Sequence, residues 1–497
     1  MSEQFDLVII GAGPGGYSTA LRAAELGMKV ALVERDATVG GTCLNRGCIP
    51  SKALITATHT IDTVHRAAEL GVNASVNGID FGTLRDYRLR VVKTMVGGLA
   101  GLLAHRGITV FRANAAFHAD ETAPATSNHI VHLVPSPDQS DILTYHKADR
   151  PRAQPAHDGP HGHEHRHRHR CQATPIRRQP VRRRPHRLHT GAGSQRNFPS
   201  SAVIIGAGAI ALEFASMWNA AGSKVTLLIR KDRVLSAWDR RAGTTLTREL
   251  KRHGVNIITR ASVTHVDTGA NLGATVHYTC EGQDGEQSVW GEIALVAIGR
   301  DPITDPAWGV TIDDHGHVAT DAYGRTDKPG VWAVGDVTAG HALAHRAFEQ
   351  GIVIAETIAG LNPKPVDEAT VPQIVFSFPE AASVGLTVEQ AQAREDLIEI
   401  KETNYPMLAN ARMLMSGTAG SLTIVSGCDA ANPDTPRVLG VHMISQMASD
   451  IIAEAEQLVG NHVPLADAAR LVHPHPTFSE TLGEALLKAD GRPLHTR

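Results

Sequence analysis

Phe5-Asp-Leu-Val-Ile-Ile-Gly11-Ala-Gly13-Pro-Gly-Gly16-Tyr17 decides the fold of this 497-residue chain. Four apolar residues, Leu7 to Ile10, run into a glycine turn, and an amphipathic stretch follows from Tyr17 to Leu26. That order reads as strand, tight turn and helix, and Lys29 to Glu34 reads as the next strand. Gly11 permits the turn, Gly13 lets backbone approach a pyrophosphate, and Gly16 lets the helix pack on the strand. The free N–H groups of the helix N-terminus would face the phosphates. Glu34 lies 23 positions after Gly11, at the strand tip where a carboxylate binds a ribose hydroxyl pair.

The arithmetic repeats 195 residues later. Ala202 to Ile205 is a strand, Gly206-Ala-Gly208-Ala-Ile-Ala211 the turn, Leu212 to Ala221 a helix and Lys224 to Ile229 the second strand. Here the position of the acid holds Ile229, followed by Arg230 and Lys231. A missing carboxylate beside two cations suits a 2′-phosphate and leans towards NADPH or relaxed coenzyme choice; the plainer alternative is a solvated strand end. Ala211 in place of a third glycine is a permitted variant.

The chain as a whole is globular in composition, with 42% apolar, 20% charged and 4% aromatic residues. About three domains are expected at ~100–200 residues each. Lysine and arginine number 48 against 51 acids, so no overall basic field points to nucleic acid or an anionic membrane. No signal peptide or membrane span is legible, and a cytoplasmic, soluble protein is expected. From about 290 the chain reads as short strands and turns up to Val331-Trp-Ala-Val-Gly335-Asp336, then a helix from Ala342 to Ala359. Beyond about 370, strands (Gln373 to Phe378, Leu422 to Ser426, Val438 to Met443) alternate with helices (Asp450 to Val459, Thr477 to Leu487) in an α+β pattern.

Among five cysteines only Cys43 and Cys48 are close in sequence. In a cytoplasmic protein such a pair is expected to cycle between dithiol and disulfide. A structural metal site would need two further ligands nearby, and none is found, so no metal is expected. Cys280 and Cys428 read as ordinary strand cysteines.

Gly40-Gly-Thr-Cys43-Leu-Asn-Arg-Gly-Cys48-Ile-Pro-Ser-Lys52-Ala-Leu resembles the active-site segment of the dihydrolipoamide dehydrogenases, FAD-dependent pyridine nucleotide–disulfide oxidoreductases. Ala297-Ile-Gly299-Arg300, Ala333-Val-Gly335-Asp336, Leu343-Ala344-His345 and His473-Pro-His475-Pro-Thr-Phe-Ser-Glu480 extend the resemblance in the right order. It implies an α/β fold of two Rossmann-like domains, for FAD and NAD(P), plus a C-terminal α+β dimerisation domain. The expected parts are 1–150 and 291–360 for FAD, 199–290 for NAD(P) and 361–497 for the interface. Asp336 would bind the ribityl chain, Ala115 and Ala344 would offer backbone near the flavin, and Lys52 with Glu213 would form an ion pair beside its reactive nitrogen. Gly299 would line the coenzyme site. Cys48 would lie against the flavin as thiolate, Cys43 would exchange with substrate, and His475, oriented by Glu480, would take the thiol proton. The partners implied are a second copy of the chain, forming a homodimer, and the lipoyl domain of a 2-oxo acid dehydrogenase or glycine-cleavage complex. The runner-up is an NADPH-dependent reductase of a small disulfide such as glutathione or mycothione.

One stretch breaks the pattern. Residues 151–190 hold ten arginines, eight histidines and six prolines, a net +8 that leaves −11 on the rest of the chain. No strand or amphipathic helix can be drawn through it. The resembling pattern stops at Asp149 and resumes near Pro199, so the whole anomalous segment is taken as 151–198. Its composition is that of a GC-rich coding stretch read out of frame between compensating shifts. A competing reading is metal binding by His161, His163, His165, His167 and His169, which the interleaved Arg166, Arg168 and Arg170 oppose. A third expectation follows, a product too damaged in its FAD domain to act.

Overall fold

The computed structural model describes residues 3–117, 129–135, 172–173, 197–268 and 273–496. The histidine and arginine run, with Cys171, lies outside them. The chain divides into two units, one of Met1–Ala53, Arg85–Gln172 and Arg300–Val366, the other of Leu54–Leu84, Ala173–Gly299 and Asp367–Arg497.

In the first unit, Leu7–Ile10, Val30–Glu34 and Thr109–Phe117 lie side by side in parallel, and Val131–Pro135 adds an antiparallel edge. Val30, Ala31, Leu32 and Val33 are all buried, as a strand covered on both faces requires. The first helix, Pro14–Glu25, begins three residues earlier than the apolar pattern suggests, because Pro14 takes a first-turn position where its missing N–H is not needed. Helix Ala344–Ile358 packs against it, with Gly351 set over Ser18, Thr19 and the Gly15 carbonyl and with Arg22 paired to Glu356 at 2.5 Å. This crossing returns the Gly335–Asp336 turn to the glycine turn, since Val334 sits directly against Gly15.

The second unit carries three sheets. Ile293–Val296, Ser201–Ile205, Lys224–Leu228 and Asn256–Ile258 form a parallel sheet in that order. Gln287–Gly291, Ala274–Cys280 and Ala261–Asp267 form an antiparallel one. The C-terminal sheet runs Gln373–Val375, Glu380–Gly385, Asn432–Ser445, Ser421–Asp429, Leu397–Pro406, all antiparallel. Helices Ala448–Gly460 and Glu480–Ala489 cover that sheet through Ile452, Leu458, Leu482 and Leu486. Each such side chain removed from water contributes about 2 kcal/mol. The last helix starts at Glu480 and not at Thr477; ahead of it Thr477 N–H donates to Glu480 Oε2 at 2.9 Å and Glu480 N–H to Thr477 Oγ1 at 3.3 Å. The two glycine-turn units and the C-terminal α+β layer are the expected fold class.

Candidate functional site

Gly11 adopts φ +96°, and a Cβ at Gly16 would run into the Gly11 carbonyl oxygen. The side of Gly13 is open, with nothing within 4 Å of a Cβ placed there. Tight where the helix meets the strand and open where a ligand would approach, the turn has the form a pyrophosphate requires. Gly16→Ala is expected to cost about 2–3 kcal/mol by overpacking and to release flavin, read as a lower urea midpoint together with lost yellow colour.

Glu34 is buried, and its two oxygens accept from Ala12 N–H and Asp36 N–H, both at 2.8 Å. Burial pushes its carboxyl above the ordinary range, while the two backbone donors oppose that rise. One lone pair on each oxygen stays available to a ribose diol. Asp36 is held in turn by Arg46 at 2.5 Å.

Cys43 lies in the five-residue helix Gly41–Asn45, and Cys48 is the first residue of helix Cys48–Arg66. Both are thiols, Cys43 partly buried and Cys48 exposed. A hydrogen bond to Cys48 raises the Cys43 thiol first, and burial then adds to it, with Lys52 acting in the opposite sense and Asp336 in the same sense. The proton therefore stays on Cys43, and Cys48 stands at the first position of a helix, where the backbone N–H groups would favour a thiolate. Lys52 stands one helical turn beyond Cys48.

Asp336 sits in the short Gly335–Val337 turn, where burial raises its carboxyl against the influence of Arg300 and Arg346. Its side chain nevertheless reaches solvent, the condition of a group lining a concave wall. Gln350 and Arg346 brace this turn: Gly335 N–H donates to Gln350 Oε1 at 3.0 Å, and Arg346 donates to Thr338 Oγ1 and to the Ala339 carbonyl. Ala344 opens its helix, and Ala115 lies in the Thr109–Phe117 strand. All these residues belong to the first unit. The glycine turn, the buried acid, the dithiol and a carboxylate acting on Cys43 are a donor set that fits a flavin dinucleotide.

In the second unit Gly206 adopts φ +132°, and a Cβ there would strike the Ala297 carbonyl oxygen. Gly208 caps helix Ala209–Ala220 and is open on its outer side. Ala211 is fully buried, Ile229 is buried, and Arg230 and Lys231 are exposed. Gly299 closes the loop after strand Ile293–Val296 with φ +138°. Glu213 is buried in its helix and accepts from Phe376 N–H at 3.3 Å.

His475 and Glu480 meet as expected, Nδ1 to Oε1 at 3.1 Å. The imidazole is 74% exposed, so its other nitrogen faces outward. His473, two residues earlier, anchors the loop through Glu454 at 2.8 Å, and that hydrogen bond raises its pKa. Gly483 makes room for it, because a Cβ there would meet His473 Nδ1.

Three contributors escaped the sequence reading. Tyr17 is pushed up to about 12 by burial and then by the charges of Cys43 and Cys48. Its position right after Gly16 was the available signal. Gln350 and Arg346 carry no motif at all.

A family model described as pyridine nucleotide-disulphide oxidoreductase matches residues 5–351, and one for the dimerisation domain of that family matches residues 371–486. The dihydrolipoyl dehydrogenase of Geobacillus stearothermophilus is 32% identical over 497 residues, covering 99% of this chain and 97% of the relative. That of Cupriavidus necator is 33% identical over 512 residues, covering both chains completely. LpdA from Mycobacterium tuberculosis has the same fold, with a TM-score of 0.78 at 24% identity over 97% of this chain and 99% of that one. The HOCl-induced flavoprotein disulfide reductase RclA from Escherichia coli, solved as a Cu(II) complex, aligns with a TM-score of 0.75 at 24% identity, covering 98% and 99%. With a dithiol beside one glycine turn and a second turn downstream, matched by these models along nearly its whole length, the chain belongs to the pyridine nucleotide-disulphide oxidoreductase family.

Proposed function

We propose that this protein oxidises protein-bound dihydrolipoyl groups with NAD, using FAD and the Cys43–Cys48 pair. The observation that carries the reading is the hydrogen-bonded dithiol at a helix N-terminus, in the same unit as the glycine turn, Glu34 and Asp336. FAD, when bound, accepts the electron pair of the dithiol and passes it to nicotinamide as hydride. Gly13, Glu34 and Asp336 would hold it, with Ala115 and Ala344 offering backbone and Lys52 paired with Glu213.

In the oxidised protein a substrate thiolate attacks Cys43 Sγ, the Cys43–Cys48 bond breaks, and Cys48 leaves as thiolate. The second substrate thiol, its proton taken by His475, then attacks the substrate sulfur of the mixed disulfide; the bond to Cys43 breaks, Cys43 leaves as thiolate and recovers that proton, and the product is the cyclic disulfide. Glu480 keeps the imidazole turned to that task. His475 serves the disulfide of a second copy of the chain, so the working form is a homodimer. The partner is a lipoyl domain of a 2-oxo acid dehydrogenase or glycine-cleavage complex, and the setting is cytoplasmic. Among the described residues no helix is long and apolar enough to cross a membrane.

The test is anaerobic. Purified protein is expected to be yellow, to bleach with NADH while gaining long-wavelength absorption, and to reduce lipoamide faster than glutathione or mycothione disulfide. Small-disulfide reduction that exceeds lipoamide reduction and depends on NADPH would favour the runner-up. A colourless protein would favour the non-catalytic reading.

Arg230 and Lys231 point to relaxed coenzyme choice. Arg230→Glu, which replaces the cation next to the acid's position with a carboxylate, is expected to raise the kcat/KM ratio of NADH over NADPH by about tenfold, or ~1.4 kcal/mol. An unchanged ratio would assign both cations to a solvated strand end.

For residues 151–198 the reading remains an out-of-frame stretch. Sequencing the DNA is expected to show two compensating shifts, and a clean single frame would refute it.

A further inference from the structure

The antiparallel sheet of the second unit has one face in the core and one outside. Ala274, Val276 and Tyr278 point inward with Val203, Ile205 and Leu228. The alternate residues of the same strand point outward, and there His277 stands directly opposite His265 on the neighbouring strand. A register shift next to this pair leaves Thr264 without a direct partner and brings Thr264 and His265 together beside Glu286.

The two imidazoles stack with centroids 4.1 Å apart and planes 7° from parallel. At one edge, Glu286 straddles both Nδ1 atoms, with Oε1 3.7 Å from His265 and Oε2 3.7 Å from His277. At the other edge, Asp267 Oδ2 lies 3.2 Å from His277 Nε2 and 3.7 Å from His265 Nε2. Thr264 Oγ1 donates to Glu286 Oε1 at 2.6 Å and lies 3.2 Å from His265 Nδ1. One ligand atom from each of His265, His277 and Glu286 falls within 4.8 Å of the others.

We propose that His265, His277 and Glu286 form a binding site for a divalent transition-metal cation of the zinc or copper class. Two imidazoles and a carboxylate are the donor set such ions prefer. Asp267 supplies the outer carboxylate that ligating histidines need: it takes the Nε2–H edge and leaves both Nδ1 lone pairs turned to Glu286. Nitrogen–oxygen separations of 3.7 Å are a few tenths of an ångström wider than two ~2.0–2.1 Å bonds at a tetrahedral angle allow, so binding draws the three groups together and tilts the rings off parallel. Both rings are partly exposed and free to tilt, at 38% and 22%. The sequence reading expected no metal because it found no further ligands near the cysteine pair, and it did not weigh residues 265, 277 and 286.

Trp290 provides a local reporter. It lies directly opposite Thr275, on the same outward face as His277 two residues away, and is 54% exposed. Cu2+ alone is titrated into the flavin-loaded, disulfide-oxidised protein, and the emission lost in Trp290→Phe is taken as the signal. That difference restricts the readout to copper that acts on Trp290, and the ligand variants below assign it to this site. The signal is expected to fall at least about twofold in a saturable, one-to-one manner. His277→Gln and Glu286→Gln are each expected to raise the midpoint about tenfold or more, and Asp267→Asn by about 10-fold. Flavin content and circular dichroism equal to wild type confirm that each variant is folded, and His265→Gln replaces any that is not. A Trp290 signal indifferent to Cu2+, or the same midpoint in the His277 and Glu286 variants, would overturn the site and leave two histidine–carboxylate ion pairs.

Discussion

Cys48→Ser is expected to lower dihydrolipoamide oxidation by about 10^4-fold or more, the order of loss when one member of a catalytic unit is removed. The thiol count should change with it. Of the five cysteines, oxidised wild-type protein should show three thiols on denaturation and five after reduction. The variant should show four in both states. Serine cannot form the disulfide, and its hydroxyl is a far weaker acid than the thiol that meets Cys43. Flavin binding should persist, because Gly13, Glu34 and Asp336 are untouched. Turnover within tenfold of wild type, or an unchanged thiol count, would remove the pair from the mechanism.

His475→Gln is expected to reduce lipoamide turnover by about 10^3-fold, within the range of positioned acid–base groups, and to leave stability nearly unchanged. The ring is 74% exposed, and among the described residues its hydrogen bond is to Glu480, so little packing is lost. NADH should still reduce the bound flavin at the wild-type rate in a stopped-flow half-reaction, because that step does not pass through His475. Glu480→Ala should differ, losing both the orientation of His475 and the bond from Thr477 N–H, and so lowering stability as well as turnover. Removing one cap interaction of this kind costs about 1 kcal/mol. If His475→Gln slowed the NADH half-reaction as much as the lipoamide reaction, the residue would be structural and not the base.

Legibility in the sequence followed the distance over which each feature acts. Gly11, Gly13, Gly16, Glu34, Cys43, Cys48 and Lys52 were readable because turn, strand tip and helix start are set by residues within about two dozen positions. Helix starts differed from the apolar pattern by three residues at Pro14 and at Glu480, since the first turn tolerates residues that the apolar period does not mark.

By itself the sequence determined two glycine-turn units and a close cysteine pair, because local spacing dictates each of them, while the pairing of His475 with Glu480 came from the family resemblance. Only the tertiary structure decided that Asp336 acts on Cys43 across almost three hundred residues. It also decided that Tyr17 feels both sulfurs, and that His265 and His277 share one face above Glu286. Those juxtapositions depend on helix crossing and strand register, which come from packing the whole chain and leave no periodic trace in it.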